Sequence, residues 1–265
     1  MPNAHGPTVI GVFGALLCAS ALGVNLQRKL AEQHRSKETG DHVRLIISIL
    51  VTFTAVVLGL LISSVKSSYD QFESRLNAFA GDVTELDVRL REYGEDAAPI
   101  RAKLRAYVAA AIADTWPNEA PPSGVYPRFP VSPSLERRQL GDMLVDADIA
   151  IGKLDPPDLF RKRLVTQIEN QMSATMTQRR LLLGTSRDTI SWSLLVAMTA
   201  WLVIVFAVFG VIAPRNVVVY VTILLCALSF SSAIFFILEL DTPVDGLIYV
   251  SSDPLRDALR HIDAS

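Results

Sequence analysis

The stretch LELDTPVDG, residues 238–246, places three carboxylates within seven residues at the end of a long apolar run: Glu239, Asp241 and Asp245. Three chemistries suit that pattern. In the first, Asp241, two residues before Pro243, caps a new helical turn or a β-turn, and Gly246 supplies a backbone conformation that other residues avoid. Glu239 and Asp241 would then hold basic partners, such as arginines of adjoining helices. In the second, the acids repeat around the axis of an oligomer and form a charge ring at a pore mouth, which would favour cations. In the third, Glu239, Asp241, Asp245 and Asp253 offer the oxygen ligands that Ca²⁺ takes, although their spacing is not that of an EF-hand. The sequence leaves the three open.

No other constellation points to catalysis. The histidines His5, His34, His42 and His261 lack metal-ligand spacing, and there is no Gly-rich phosphate loop or nucleophile elbow. The chain is therefore read as a non-enzyme without a cofactor or resident metal. Cys18 and Cys226 both fall in apolar runs and read as small apolar residues. A net charge of −2 over 265 residues gives no reason to expect a nucleic-acid partner.

The elements that would position these residues follow from where the apolar residues lie. About 20 apolar residues cross a bilayer as a helix, and four runs qualify: Thr8–Leu26, Val43–Val65, Thr189–Ala213 and Val217–Leu238. The last three hold no interior charge, Arg44 standing at the entrance of the second. The first has no basic residue ahead of it and Arg28 and Lys29 behind it, as in a retained membrane helix rather than a signal peptide. The expected division is 1–65 with spans one and two, 66–188 a helical extramembrane domain, 189–238 a membrane hairpin turning at Ala213-Pro-Arg-Asn216, and 239–265 a capped tail.

Within 66–188, Val65, Tyr69, Phe72, Leu76, Phe79, Val83, Leu86, Leu90 and Tyr93 alternate in steps of four and three. That is a heptad stripe, so the second span is expected to continue as one amphipathic helix to about Tyr93. The stripe packs either inside its own subunit or as an intersubunit coiled coil. Further helices are expected over about Pro99–Trp116, Ser134–Leu154 and from Asp155-Pro156-Pro157-Asp158 to Arg187, the last running into span three. The six prolines of Pro117–Pro133 exclude regular structure there. Ser252-Asp253-Pro254 reads as the cap of a short amphipathic tail helix, Leu255–Ile262.

Helix association in lipid relies on close packing. Gly11, Ala15, Ala19 and Gly23 share one face of span one at steps of four, and Gly59 and Ser63 share one of span two. These are helix-packing surfaces, within a subunit or between subunits. Ser229, Ser231 and Ser232 are the densest group of hydroxyls in the spans and are open to two uses, bonding to their own helix or lining a pore. The absence of a charge inside the spans argues against a proton-relay carrier but not against a channel.

Basic residues mark the two sides almost evenly. Arg28, Lys29, Arg35, Lys37, Arg44 and Arg215 face Lys66, Arg75, Arg179, Arg180, Arg187, Arg256 and Arg260. The compact first loop slightly favours both termini outside the cytoplasm.

The segments LGLLISSVKSSYDQF, LDVRLREYG and RAKLRAYVAAAIADTWP resemble a family of bacterial membrane proteins described as bestrophin-like. FAVFGVIAPRNVVVY followed by IFFILELDTPVDGLIYVSSDPLRDAL resembles that family's closing signature. The resemblance runs from about Val43 to the C-terminus. Onward similarity to bestrophins implies four spans, a large helical domain between spans two and three, and a ring-shaped anion channel with the domain and both termini in the cytoplasm, opposite to the charge reading. Bestrophin pores use aromatic constrictions on the second helix. Phe53 is the one aromatic residue in this second span, so no pore residue is carried over.

The sequence thus predicts an all-α, four-span protein of the bacterial inner membrane. Its partners are the lipid bilayer, further copies of itself as a homo-oligomer, and inorganic ions. The function expected is an ion channel or pore; the alternative is a non-conducting scaffold or sensor acting through its helical domain.

Overall fold

A computed structural model describes residues 5–29, 37–129, 133–185, 192–214, 216–244 and 246–264. Among these, every regular element is helical: α1 (Gly6–Lys29), α2 (Lys37–Tyr93), α3 (Ala98–Thr115), α4 (Pro133–Ile151), α5 (Leu159–Thr185), α6 (Trp192–Ile212), α7 (Val217–Asp241) and α8 (Asp253–Asp263), with a 3₁₀ turn at Glu95–Ala97. Four of them, α1, α2, α6 and α7, are long and apolar enough to cross a membrane by length and composition. The chain is a membrane protein. It forms two compact units, Met1–Tyr69 with Asp188–Tyr249 and Asp70–Arg187 with Val250–Ser265.

In the first unit α1 and α6 meet backbone to backbone. A Cβ placed on Gly23 would strike the carbonyl oxygen of Ala207, and one on Gly210 would strike that of Ser20. Lipid offers apolar side chains no reason to leave it, so dispersion over such close approaches holds the pair together. Leu16, Leu61, Met198, Leu202, Phe206 and Ile234 fill the core beside this contact. Phe206 meets Phe209 and Phe230 edge to face, with centroids 6.4 and 6.1 Å apart.

In the second unit the heptad stripe of α2 is covered by the chain itself. Phe72, Leu76, Phe79, Val83, Leu86, Leu90 and Tyr93 are all buried. Phe79 stacks edge-on to Tyr107 of α3 at 6.5 Å, and α5 ties on through Gln171, which donates to the Asp82 carbonyl at 3.2 Å. No second copy is needed to bury the stripe. The 4–3 spacing marks an apolar seam, and α3 and α5 supply its other side.

Element ends differ from expectation at three places. First, α7 continues to Asp241, three residues past Leu238, so Glu239 and Asp241 belong to its last turn rather than to the tail. Second, α4 stops at Ile151 instead of Leu154. Third, α5 is capped by Asp158, whose Oδ1 accepts from the Arg161 amide at 2.7 Å, so the two prolines precede the cap rather than following one. Continuation of α5 through Arg187 into α6 falls outside the described residues.

Candidate functional site

The acidic exit of α7 is organised from its last turn. The Glu239 side chain is buried, and its Oε2 accepts from the Leu247 amide at 2.6 Å. Gly246, at φ +111°, lays its backbone against that carboxylate so closely that a Cβ would overlap Oε2. The Glu239 carbonyl accepts from the Thr242 amide and hydroxyl at 3.4 and 3.3 Å, closing the helix end. Pro243 is buried in the turn and Asp241 is half-buried. Asp245 lies outside the described residues. The described partner of Glu239 is thus the amide of the loop that follows, not the arginine expected. Among the described residues no group of three or more His, Cys, Asp or Glu could hold a metal ion.

The tail helix has its own anchor in the second unit. Glu119 accepts from the Ser252 amide at 3.2 Å, from the Ser252 hydroxyl, and from Arg256 Nε and Nη2 at 3.2 and 3.0 Å. Burial alone would raise the Glu119 pKa, but the Ser252 and Arg256 hydrogen bonds outweigh it and hold the carboxyl below its ordinary 4.5. Trp116 Nε1 donates to the Val250 carbonyl at 2.7 Å, and Arg105 grips Asp263 through Nε and Nη2 at 2.5 and 3.0 Å. Beneath them Asp87, fully buried, takes Arg101 on both oxygens at 2.7 and 3.2 Å and Arg91 at 3.2 Å. Leu255, Ala258, Leu259 and Ile262 bury the inner face of α8.

Sequence reasoning missed this anchor. It read 117–133 as a surface excursion, whereas Glu119 is what holds Ser252. It also read Ser252 as a helix cap, but that hydroxyl goes to Glu119 and Ser251 Oγ accepts from the Asp253 amide instead. The one available signal was a tryptophan and an acid beside prolines.

The small-residue faces divide. Ala19 and Gly23 are buried against α6, while Gly11 and Ala15 point outward with Gly59 and Ser63. Along the outer surface of α2 the exposed residues form two adjacent stripes. Thr52, Ala55, Gly59 and Ser63, at steps of three, four and four, are small; Ile49, Phe53, Val56 and Leu60 are large and apolar. Phe53 packs on Trp201 at 5.1 Å, within the large stripe. Thr52, Thr54, Thr199 and Thr222 each donate to the carbonyl four residues earlier, so these four hydroxyls are satisfied within their own helices. Of the α7 serines, Ser231 is buried without a hydrogen-bond partner, whereas Ser229 and Ser232 are exposed.

A bestrophin-like domain model matches residues 14–255, nearly the whole chain. The chain belongs to the bestrophin-like family. The helical order of this bestrophin-like chain also matches crystal structures of variants of a bacterial bestrophin homologue from Klebsiella pneumoniae. One has 13% sequence identity and a TM-score of 0.66, covering 96% of this chain and 97% of that one. A second has 15% identity and a TM-score of 0.63, covering 97% and 98%. A third, also at 15% and 0.63, covers 100% of this chain and 97% of that one. Likeness at this identity establishes a shared fold. A comparison with curated proteins found no match.

Proposed function

We propose that this bestrophin-like protein is a homo-oligomeric ion channel of the bacterial inner membrane, with α2 of each copy facing a common axis. The observation that carries this reading is the small stripe Thr52, Ala55, Gly59 and Ser63 on the exposed surface of α2. A helix facing only lipid gains nothing from a glycine and a serine beside a row of Ile, Val and Leu. A helix facing copies of itself around an axis does, because small residues allow close approach and leave a lumen walled by hydroxyl and backbone. The large stripe beside it then meets lipid. The second unit, with charged residues interspersed over its surface, is assigned to water outside the membrane. In this reading it lies on the cytoplasmic side, as a likeness to bestrophins implies.

The anion preference follows from the bestrophin resemblance, and the geometry at Glu239 removes one objection to it. An acidic ring at the mouth would select cations, but Glu239 is buried and holds the Leu247 amide, so its charge is directed into the chain. The acidic exit serves in this reading as a structural lock.

Purified protein in liposomes is expected to pass chloride faster than potassium, and Ser63→Leu, on the same stripe, to reduce flux at least tenfold. No flux of any ion from a well-folded oligomer would reject the channel and leave the scaffold reading.

A further inference from the structure

The first unit has an open cleft of about 520 Å³ where the entrance of the apolar run of α2, the end of α6 and the start of α7 come together. Ile47, Val51, Phe206, Phe209, Ile223 and Cys226 form its apolar walls. The hydroxyls that reach it have donated elsewhere: Ser48 to the Leu45 carbonyl at 2.7 Å and Thr222 to the Val218 carbonyl at 2.9 Å. Among the described lining residues one is charged, Arg44, whose side chain is 70% exposed. Its ion pair with Asp41, at 3.4 Å on the same helix, joins two exposed groups, an arrangement of small worth in water. A guanidinium carries five N–H donors in a fork suited to phosphate, so it can serve Asp41 and a second anion together.

The three helices around this cavity have membrane-crossing length and composition, so the medium beside it is lipid. An apolar cleft carrying Arg44 where the spans begin and end matches an amphiphile with a hydrocarbon chain and an anionic head. We propose that the cavity takes an acyl chain of an anionic phospholipid whose phosphate is held by Arg44. The volume falls within the roughly 300–1,000 Å³ of small-molecule sites, and a guanidinium fork fits a phosphate. Free phosphate would find Arg44 but nothing to gain from the walls. The inference goes beyond ion conduction and does not depend on it.

Cys226 makes the test direct, because it lines the cavity and Cys18 does not. Full-length protein, delipidated in detergent, is titrated with phosphatidylglycerol or with phosphatidylcholine of the same chains while both thiols react with an apolar maleimide. Phosphatidylglycerol is expected to protect Cys226 at about fivefold lower concentration than phosphatidylcholine, the preference one basic side chain gives for an anionic head, with Cys18 unaffected. Arg44→Gln is expected to erase the preference while both lipids still protect. Val51→Trp, which fills the chamber, is expected to abolish retention of either lipid by native mass spectrometry at unchanged helicity and oligomer mass. Equal protection by the two lipids in the wild type would overturn the proposal. So would a Cys226 that is unreactive in the delipidated oligomer, since a second copy would then cover the cavity.

Discussion

At Gly246 two demands coincide, and neither admits another residue. Its φ of +111° is a conformation that side chains oppose, and its Cβ position is taken by the Glu239 carboxylate. Glu239 cannot step aside without leaving its buried charge and the Leu247 amide unpaired. Gly246→Ala is therefore expected to cost about 1–3 kcal/mol from backbone strain, plus a further loss from displacing the carboxylate. A double-mutant cycle by thermal unfolding in detergent separates the two. In a Glu239→Ala background the same substitution should cost less, because the overlap is gone and only the strain remains. An equal cost in both backgrounds would show that the carboxylate is not what excludes a side chain at this position.

At the scale of elements, α8 is held less by its own propensity than by what meets it. An isolated helix of 11 residues is marginal in water, so its apolar face and the acids and arginines around it must stabilise it. Because the folded pKa of Glu119 lies below 4.5, its contribution is fully present above that value and is lost as pH falls through the depressed one. Glu119→Ala is expected to destabilise the second unit by about 2 kcal/mol at neutral pH, the scale of hydrogen bonds to a charged group. The difference from wild type should close as pH falls below 4.5. Trp116 emission, with Trp192 and Trp201 replaced by Phe, reports the transition, because its indole N–H is bound to the Val250 carbonyl. A gap that persists unchanged to pH 3 would contradict the assignment.

This same scale shows what the sequence makes legible. The four membrane-length runs and the seam of α2 can be read because composition and period are properties of one segment. The continuation of α2 to Tyr93 could be read because no proline interrupts the 4–3 spacing. The anchor of α8 could not. Glu119 and Ser252 are 133 positions apart, and nothing in a proline-rich run says which distant backbone its acid will meet. The exit of α7 was half legible: the glycine and the acids were evident, but the loop amide that turns Glu239 inward belongs to tertiary structure. The division of Gly11, Ala15, Ala19 and Gly23 into outward and buried pairs was likewise invisible, because a stripe of small residues does not name its partner.

For the whole molecule, the channel reading requires that the small stripe of α2 meet other copies, and this separates it from every single-chain explanation. Gly59 has open space around it, so a side chain there meets nothing in its own subunit. Gly59→Leu should accordingly leave the monomer folded, with its helical content kept and its stability raised by at most about 1 kcal/mol, as a helix-interior glycine is replaced. If copies of α2 approach one another along this stripe, the same change inserts a bulky side chain into every contact around the ring, and small-residue interfaces in membranes do not absorb that. Native mass spectrometry and light scattering in mild detergent are then expected to show the oligomer falling to smaller species. Leu60→Ala provides the control, since Leu60 lies on the neighbouring stripe at 65% exposure, assigned to lipid. It should leave the assembly intact. An oligomer that survives Gly59→Leu with its mass and ion flux unaltered would remove α2 from the axis, and with it the observation on which the channel rests.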